Sequence, residues 1–147
     1  MRQYLDTSVI LKWFLKDEDG IDEADSILRE ITSLSNEFVT SEWTIPELVR
    51  GLVKGKWSKD EIDEAFGMFK ELMEFQGIRT VPVSEVVMDL KDPMVKYSLY
   101  GSDAVHLASA LMTGCEVFWT EDGHFHRGKL KKDMMDRGLK VLSLKDR

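Results

Sequence analysis

The feature that most constrains this chain is a regular alternation of short apolar segments with longer amphipathic ones, running from residue 2 to residue 144. The short segments are RQYLD (2–6), FVT (38–40), IRTVPV (78–83), CEVFWT (115–120) and LKVLSL (139–144). They are rich in β-branched and aromatic residues, which reads as strands. Between them, apolar residues recur at helical spacing: Ile21, Ala24, Ile27, Leu28, Ile31 and Leu34 in one stripe, Ile62, Phe66, Phe69 and Met73 in another. Strands separated by helices imply an α/β three-layer domain, with a mainly parallel central sheet flanked by helices. A length of 147 residues with 43% apolar content fits a single domain over 1–147.

Local signals set the expected helix limits. The first helix is expected from Ser8 to about Leu15. The next spans 20–34, and another starts at Thr44 as N-cap with Pro46 in its first turn. A long helix follows, capped by Ser58 and closed by Gly77. Residues 84–101 read as helical on both sides of an interruption at Pro93. A last helix is capped by Ser102 and closed by Gly114.

Charge and cysteine usage narrow the function classes. The net charge of −7 is uneven: residues 123–147 hold eight Lys/Arg against three Asp, and residues 1–122 hold twelve against twenty-four Asp/Glu. An acidic body with a basic C-terminal stretch is compatible with local contact with a polyanion, although a solvated basic helix face is the simpler reading. The single cysteine, Cys115, excludes an internal disulfide, and the expected location is the cytoplasm. No run reaches the roughly 18 apolar residues of a membrane span.

In a parallel sheet, chemistry gathers outside the carboxyl ends of the strands. Asp6 follows the first strand and Asp122 the fourth, while Glu47 and Asp103 fall in first turns of helices. Each has a structural reading. Asp6 can cap a helix, Asp103 can complement a helix dipole, and Asp122 before Gly123 can be a turn residue. Thr44 and Glu47 have the spacing of a capping box. As a set they have a common cause, because clustered carboxylates need protons or a cation. Oxygen ligands suit Mg²⁺ or Mn²⁺, which bind phosphate oxygens and activate water. Gly51, one turn after Glu47, would leave that helix face open to a substrate.

At these residues the sequence resembles the PIN-domain family and, within it, the VapC-type toxin ribonucleases of toxin–antitoxin pairs. YLDTSVILKWF is similar to the first family motif, with Asp6 as its acid and Ser8 as a supporting hydroxyl. TIPELVRG resembles the second and supplies Glu47. GSDAVHLASAL resembles the third, with Asp103 and then His106. VFWTEDGHF resembles the fourth, with Thr120 and Asp122. The resemblance implies a Mg²⁺- or Mn²⁺-dependent endoribonuclease, with Asp6, Glu47, Asp103 and Asp122 as catalytic metal ligands. It also implies an RNA substrate, a cognate antitoxin protein and a homodimer. Ser8 then becomes the expected helix cap, leaving Asp6 to the metal. His124 stands where many members carry a further acid, so one firmly held ion is expected rather than two. A non-catalytic PIN-like module that binds RNA or protein is the alternative.

Further residues have weaker signals. His106, one turn after Asp103, is placed to hydrogen-bond it, with ordinary packing as the alternative. His124 and His126 lack the partners of a zinc site. Arg50 and Lys54 trail Glu47, and Arg127 and Lys129 trail Asp122, where cations could grip an RNA backbone, with ordinary exposed helix charges as the alternative. Two other chemistries of an Asp after a first strand are not matched: the residue two after Asp6 is Ser8 rather than a second Asp, and the paired acids of a phospho-receiver are missing there; a serine hydrolase's G-x-S-x-G is also absent.

Overall fold

A computed structural model describes residues 1–16, 19–75 and 77–147. Its centre is a five-stranded, wholly parallel sheet in the order β3-β2-β1-β4-β5. The strands are β1 (Arg2–Leu5), β2 (Glu37–Ser41), β3 (Ile78–Val81), β4 (Val117–Trp119) and β5 (Lys140–Leu142). The chain winds outward from β1 through β2 to β3, then returns to the other side of β1 for β4 and β5. The switch point of the sheet therefore lies between β1 and β4, whose Tyr4 and Phe118 are in register.

Eight α-helices among the described residues cover the two faces: α1 (Thr7–Ile10), α2 (Ile21–Thr32), α3 (Thr44–Lys54), α4 (Lys59–Glu74), α5 (Lys91–Tyr97), α6 (Gly101–Met112), α7 (Gly123–His126) and α8 (Leu130–Asp136). Strand alternation sorts the core. Leu5, Phe38, Val117 and Trp119 face α1–α4, packing with Ile10, Ile27, Leu48 and Phe69. Tyr4, Val39, Phe118 and Val141 face α5–α8, packing with Leu107, Phe125, Leu130 and Met134. Tyr4 stacks on Phe118 with ring centroids 5.0 Å apart, and Phe118 meets Phe125 at 4.8 Å. The layered α/β expectation is met, with every strand pair parallel.

Several local expectations change. The first helix is only Thr7–Ile10, continued by a 3-10 turn over Leu11–Trp13, and its N-cap is Asp6 rather than Ser8. Thr44 is not a cap but the first residue inside α3; its hydroxyl is buried against Thr40 at 2.7 Å. The capping box is instead in α4, where Ser58 and Glu61 exchange side-chain and backbone bonds. Gln76, inside the span expected for that helix, lies outside the described residues. Pro93 interrupts nothing. It occupies the first turn of α5, where a backbone N–H would have no helical acceptor. The cap of α6 is Tyr100 rather than Ser102.

Phe118 joins the sheet to Phe125 of α7, whose cap is Asp122. Phe118→Ala should cost about 3–5 kcal/mol in urea unfolding, against about 1 kcal/mol for removal of the α4 cap by Ser58→Ala.

Candidate active site

Asp6 sits at the carboxyl end of β1, where its backbone N–H donates to Trp119 C=O of the neighbouring strand at 3.0 Å. Its carboxylate is almost fully buried. Thr7 N–H donates to Oδ1 at 2.8 Å, and the Ser8 and Thr120 hydroxyls each donate to Oδ2 at 2.7 Å. These hydroxyls also accept: Glu121 N–H donates to Ser8 Oγ, and Asp122 N–H to Thr120 Oγ1, both at 3.0 Å. The loop after β4 is thus tied through two side chains to the acid after β1.

Glu47 projects from the first turn of α3. Thr7 Oγ1 donates to its Oε1 at 2.9 Å, and His106 Nε2 lies 2.5 Å from the same oxygen. His106 is therefore a partner of Glu47, not of Asp103 as its spacing suggested. One helical turn stacks Asp103 and His106 along α6, but the imidazole turns into the protein, where it is 1% exposed. Its Nδ1 is 2.7 Å from the Tyr4 hydroxyl and its Nε2 is 3.5 Å from Asp6 Oδ1. With a carboxylate opposite, Nε2 carries the ring proton. Burial pulls the His106 pKa down, but Asp6, Glu47 and Asp103 outweigh it and the net shift is upward from the ordinary 6.5. Burial pushes the Tyr4 phenol well above its usual range, with Asp6 adding to the effect, so Tyr4 keeps its proton.

Asp103 lies in the first turn of α6 and is buried. Burial raises its pKa, Asp122 raises it further, and His124 opposes the rise. Asp122 caps α7, accepting from His124 N–H at 2.9 Å. His124 Nδ1 lies 3.1 Å from Asp103 Oδ2 and 3.4 Å from Asp122 Oδ1. One donor atom from each of these three residues falls within a 4.8 Å span, a geometry that could hold a cation. His126 is elsewhere, bonded to the Thr120 carbonyl at 2.8 Å.

Asp6, Glu47, Asp103 and Asp122 all line one cleft of about 550 Å³, together with Ser8, Arg50 and Lys54. Arg127 and Lys129 line a neighbouring cleft that also includes His124. Gly51 borders the first cleft but is not there to leave room for substrate. A Cβ would come within 2.6 Å of Leu11 Cδ2, so the missing side chain admits Leu11 and brings α3 close to the first helix. A larger cleft of about 1000 Å³, lined by Arg2, Glu37, Arg79 and Glu116, contains none of the four acids. It includes the start of β1 and β2, opposite the end where parallel sheets place their chemistry.

The donor set fits a divalent cation. The buried carboxyl of Asp103 is destabilised in its charged form by its surroundings, and oxygen donors from separate elements converge on one cleft. Three contributors were not foreseen from sequence: Thr7, which orients Glu47; Tyr4, which backs His106; and His124, which joins the acid pair. Thr7 lay in plain view inside DTS, yet only the fold brings it to Glu47 from 40 residues away.

A doubly wound three-layer domain with an acid-lined cleft at its switch point is the class these features define. The chain belongs to the PIN domain family, whose model matches residues 3–130. Solved structures share the fold at low identity. VapBC2 from Rickettsia felis, bound to a promoter DNA fragment, is 14% identical, with TM-score 0.63, covering 97% of this chain and 98% of that one. VapC20 of Mycobacterium tuberculosis, described as a sarcin-ricin loop cleaving toxin, is 16% identical, with TM-score 0.66, covering 84% and 92%. VapBC-1 from nontypeable Haemophilus influenzae is 16% identical, with TM-score 0.61, covering 99% of both chains. No curated protein matches the sequence.

Two measurements test the electrostatics in metal-free protein. Asp103→Asn should raise the melting temperature, because the fold disfavours the charged carboxyl. For His106 the sign is opposite: a raised folded pKa means protonation stabilises the fold. That stabilisation is complete below about pH 6.5 and fades as pH rises through the folded value. His106→Ala should remove this part of the urea-midpoint profile and cost about 1–3 kcal/mol through the unpaired Tyr4 and Glu47 groups.

Proposed function

We propose that this chain is a metal-dependent endoribonuclease, the toxin of a toxin–antitoxin pair. The observation that carries the reading is that all four acids line a single cleft at the switch point of a PIN fold. PIN domains are a nuclease family, and the solved relatives include toxin–antitoxin complexes.

Asp6, Glu47, Asp103 and Asp122 would hold Mg²⁺ or Mn²⁺, directly or through water. When bound, such an ion supplies Lewis acidity at a phosphodiester and lowers the pKa of a coordinated water. The protein's own contribution is positional. Ser8 and Thr120 fix Asp6 through its Oδ2, and Thr7 and His106 fix Glu47 through its Oε1. Arg50 and Lys54 in the same cleft, with Arg127 and Lys129 beyond His124, would take the flanking phosphates of an RNA strand. Hydrolysis by an external water leaves the 2′-hydroxyl unused, so the products should carry 3′-hydroxyl and 5′-phosphate ends. A cognate antitoxin, a homodimer and a cytoplasmic location complete the proposal. No helix among the described residues is long and apolar enough to cross a membrane. The four acids disfavour the non-catalytic alternative, since a binding module has no need to collect repelling carboxylates in one cleft.

A defined RNA panel incubated with purified protein in Mn²⁺ tests this reading. Cleavage should vanish in EDTA and fall about 100-fold or more in Asp6→Asn and Asp103→Asn. Equal cutting in EDTA, or full activity in Asp103→Asn, would overturn it. Metal should also raise wild-type stability by about 2.7 kcal/mol at a hundredfold excess over its Kd, and Asp6→Asn should lose most of that gain.

A further inference from the structure

Tyr100 is an exposed aromatic residue beside a buried acid cluster. It caps α6 through its backbone carbonyl, which accepts from Ala104 N–H at 3.0 Å, while its side chain is 71% exposed. The ring lies 5.9 Å from the His124 ring, tilted by 57°. His124 in turn bonds Asp103, so the Tyr100 ring lies beside the group formed by Asp103, Asp122 and His124.

His124 also lines the second cleft, of about 360 Å³, together with Leu99, Arg127 and Lys129. Lys96 also lines it, but that cation is engaged by Asp133 at 3.2 Å. Arg127 and Lys129 make no ion pair among the described residues; Arg127 Nε donates only to the Gly123 carbonyl, at 3.2 Å. The first cleft, lined by the acids, likewise holds an exposed ring and cations: half-exposed Trp43 with Arg50 and Lys54. The acids line the first cleft, and His124, which bonds Asp103 and carries the Tyr100 ring beside it, joins them to the cations of the second. An exposed ring beside cations suits a stacked base with its phosphate.

We propose that Tyr100, Arg127 and Lys129 form a nucleotide subsite for single-stranded RNA next to the scissile phosphate. Tyr100 stacks on the base and the two cations take the phosphate that follows it. The subsite rests on the nuclease reading above and adds to it a recognition element that none of the four acids provides. Stacking accepts any base, so the subsite sets strand path and affinity rather than sequence.

The test is fluorescence anisotropy with a labelled 12-nucleotide single-stranded RNA in Mg²⁺, in the cutting-disabled Asp6→Asn background. Asn caps a helix about as well as Asp, so that background should fold. Adding Tyr100→Ala should weaken binding about 5- to 150-fold, the range for one stacked base. Adding Tyr100→Phe should leave Kd within about twofold, because the ring is kept. Arg127→Ala with Lys129→Ala should lower the slope of log K against log salt by about 0.7 for the lost phosphate contact. Unchanged binding in Tyr100→Ala, or equal losses in Tyr100→Phe and Tyr100→Ala, would overturn the subsite.

A cleavage assay on proteins with Asp6 intact separates the two claims. Wild-type cutting with an unchanged KM in Tyr100→Ala would sink the subsite and leave the nuclease. Tyr100-dependent RNA binding by a wild-type chain that cuts nothing would support the binding site and sink the nuclease.

Discussion

The Asp6 carboxylate accepts three short hydrogen bonds, from Thr7 N–H, Ser8 Oγ and Thr120 Oγ1, and the acidic cleft is organised around that arrangement. The donors arrive from both sides of the switch point, so the end of β1 and the loop after β4 are held at one carboxyl group. Capping would not compete with the proposed ligation at this residue. Each carboxylate oxygen has two lone pairs, and the bond from Thr7 uses only one on Oδ1. A buried acid held by three donors is also a fixed one, which is what a charged substrate or cation requires of its partner.

Around that centre the acids are paired off with histidines rather than left to face each other. His106 bridges from Tyr4 in the sheet to Glu47 on α3, and His124 lies between Asp103 and Asp122. The two upward pKa shifts share a contribution from neighbouring carboxylates. Carboxylates in the cleft raise the proton affinity of buried His106, while burial and Asp122 raise that of Asp103. Both shifts record excess negative charge in a place where water is scarce, and a divalent cation would neutralise it more fully than either proton.

The two helical layers divide the work. The layer of α1–α4 supplies Thr7, Ser8 and Glu47, with Gly51 allowing Leu11 to seat α3 against the first helix. The layer of α5–α8 supplies Asp103, His106, Asp122 and His124, anchored by the Tyr4–Phe118–Phe125 stack. Neither layer holds a complete site, so the cleft depends on the sheet that joins them.

The sequence by itself determined the elements and the short list of acids. Strand-like segments and helical stripes depend on period and residue type, which are local, and every strand of the sheet fell within or overlapped a segment so read. The order of motifs around Asp6, Glu47, Asp103 and Asp122 likewise needs only the chain. Tertiary structure decided what each residue touches. The spacing of Thr44 and Glu47 spelled a capping box, yet burial against Thr40 and the approach of Thr7 and His106 drew both side chains elsewhere. Asp6 took the cap that had been expected of Ser8, because the Ser8 hydroxyl was needed between Asp6 and Glu121. His124 gained its place only when α7 folded beside α6, 21 residues away from Asp103. Hydrogen-bond partners across such separations follow from the packing of layers, and a local pattern carries no record of that packing.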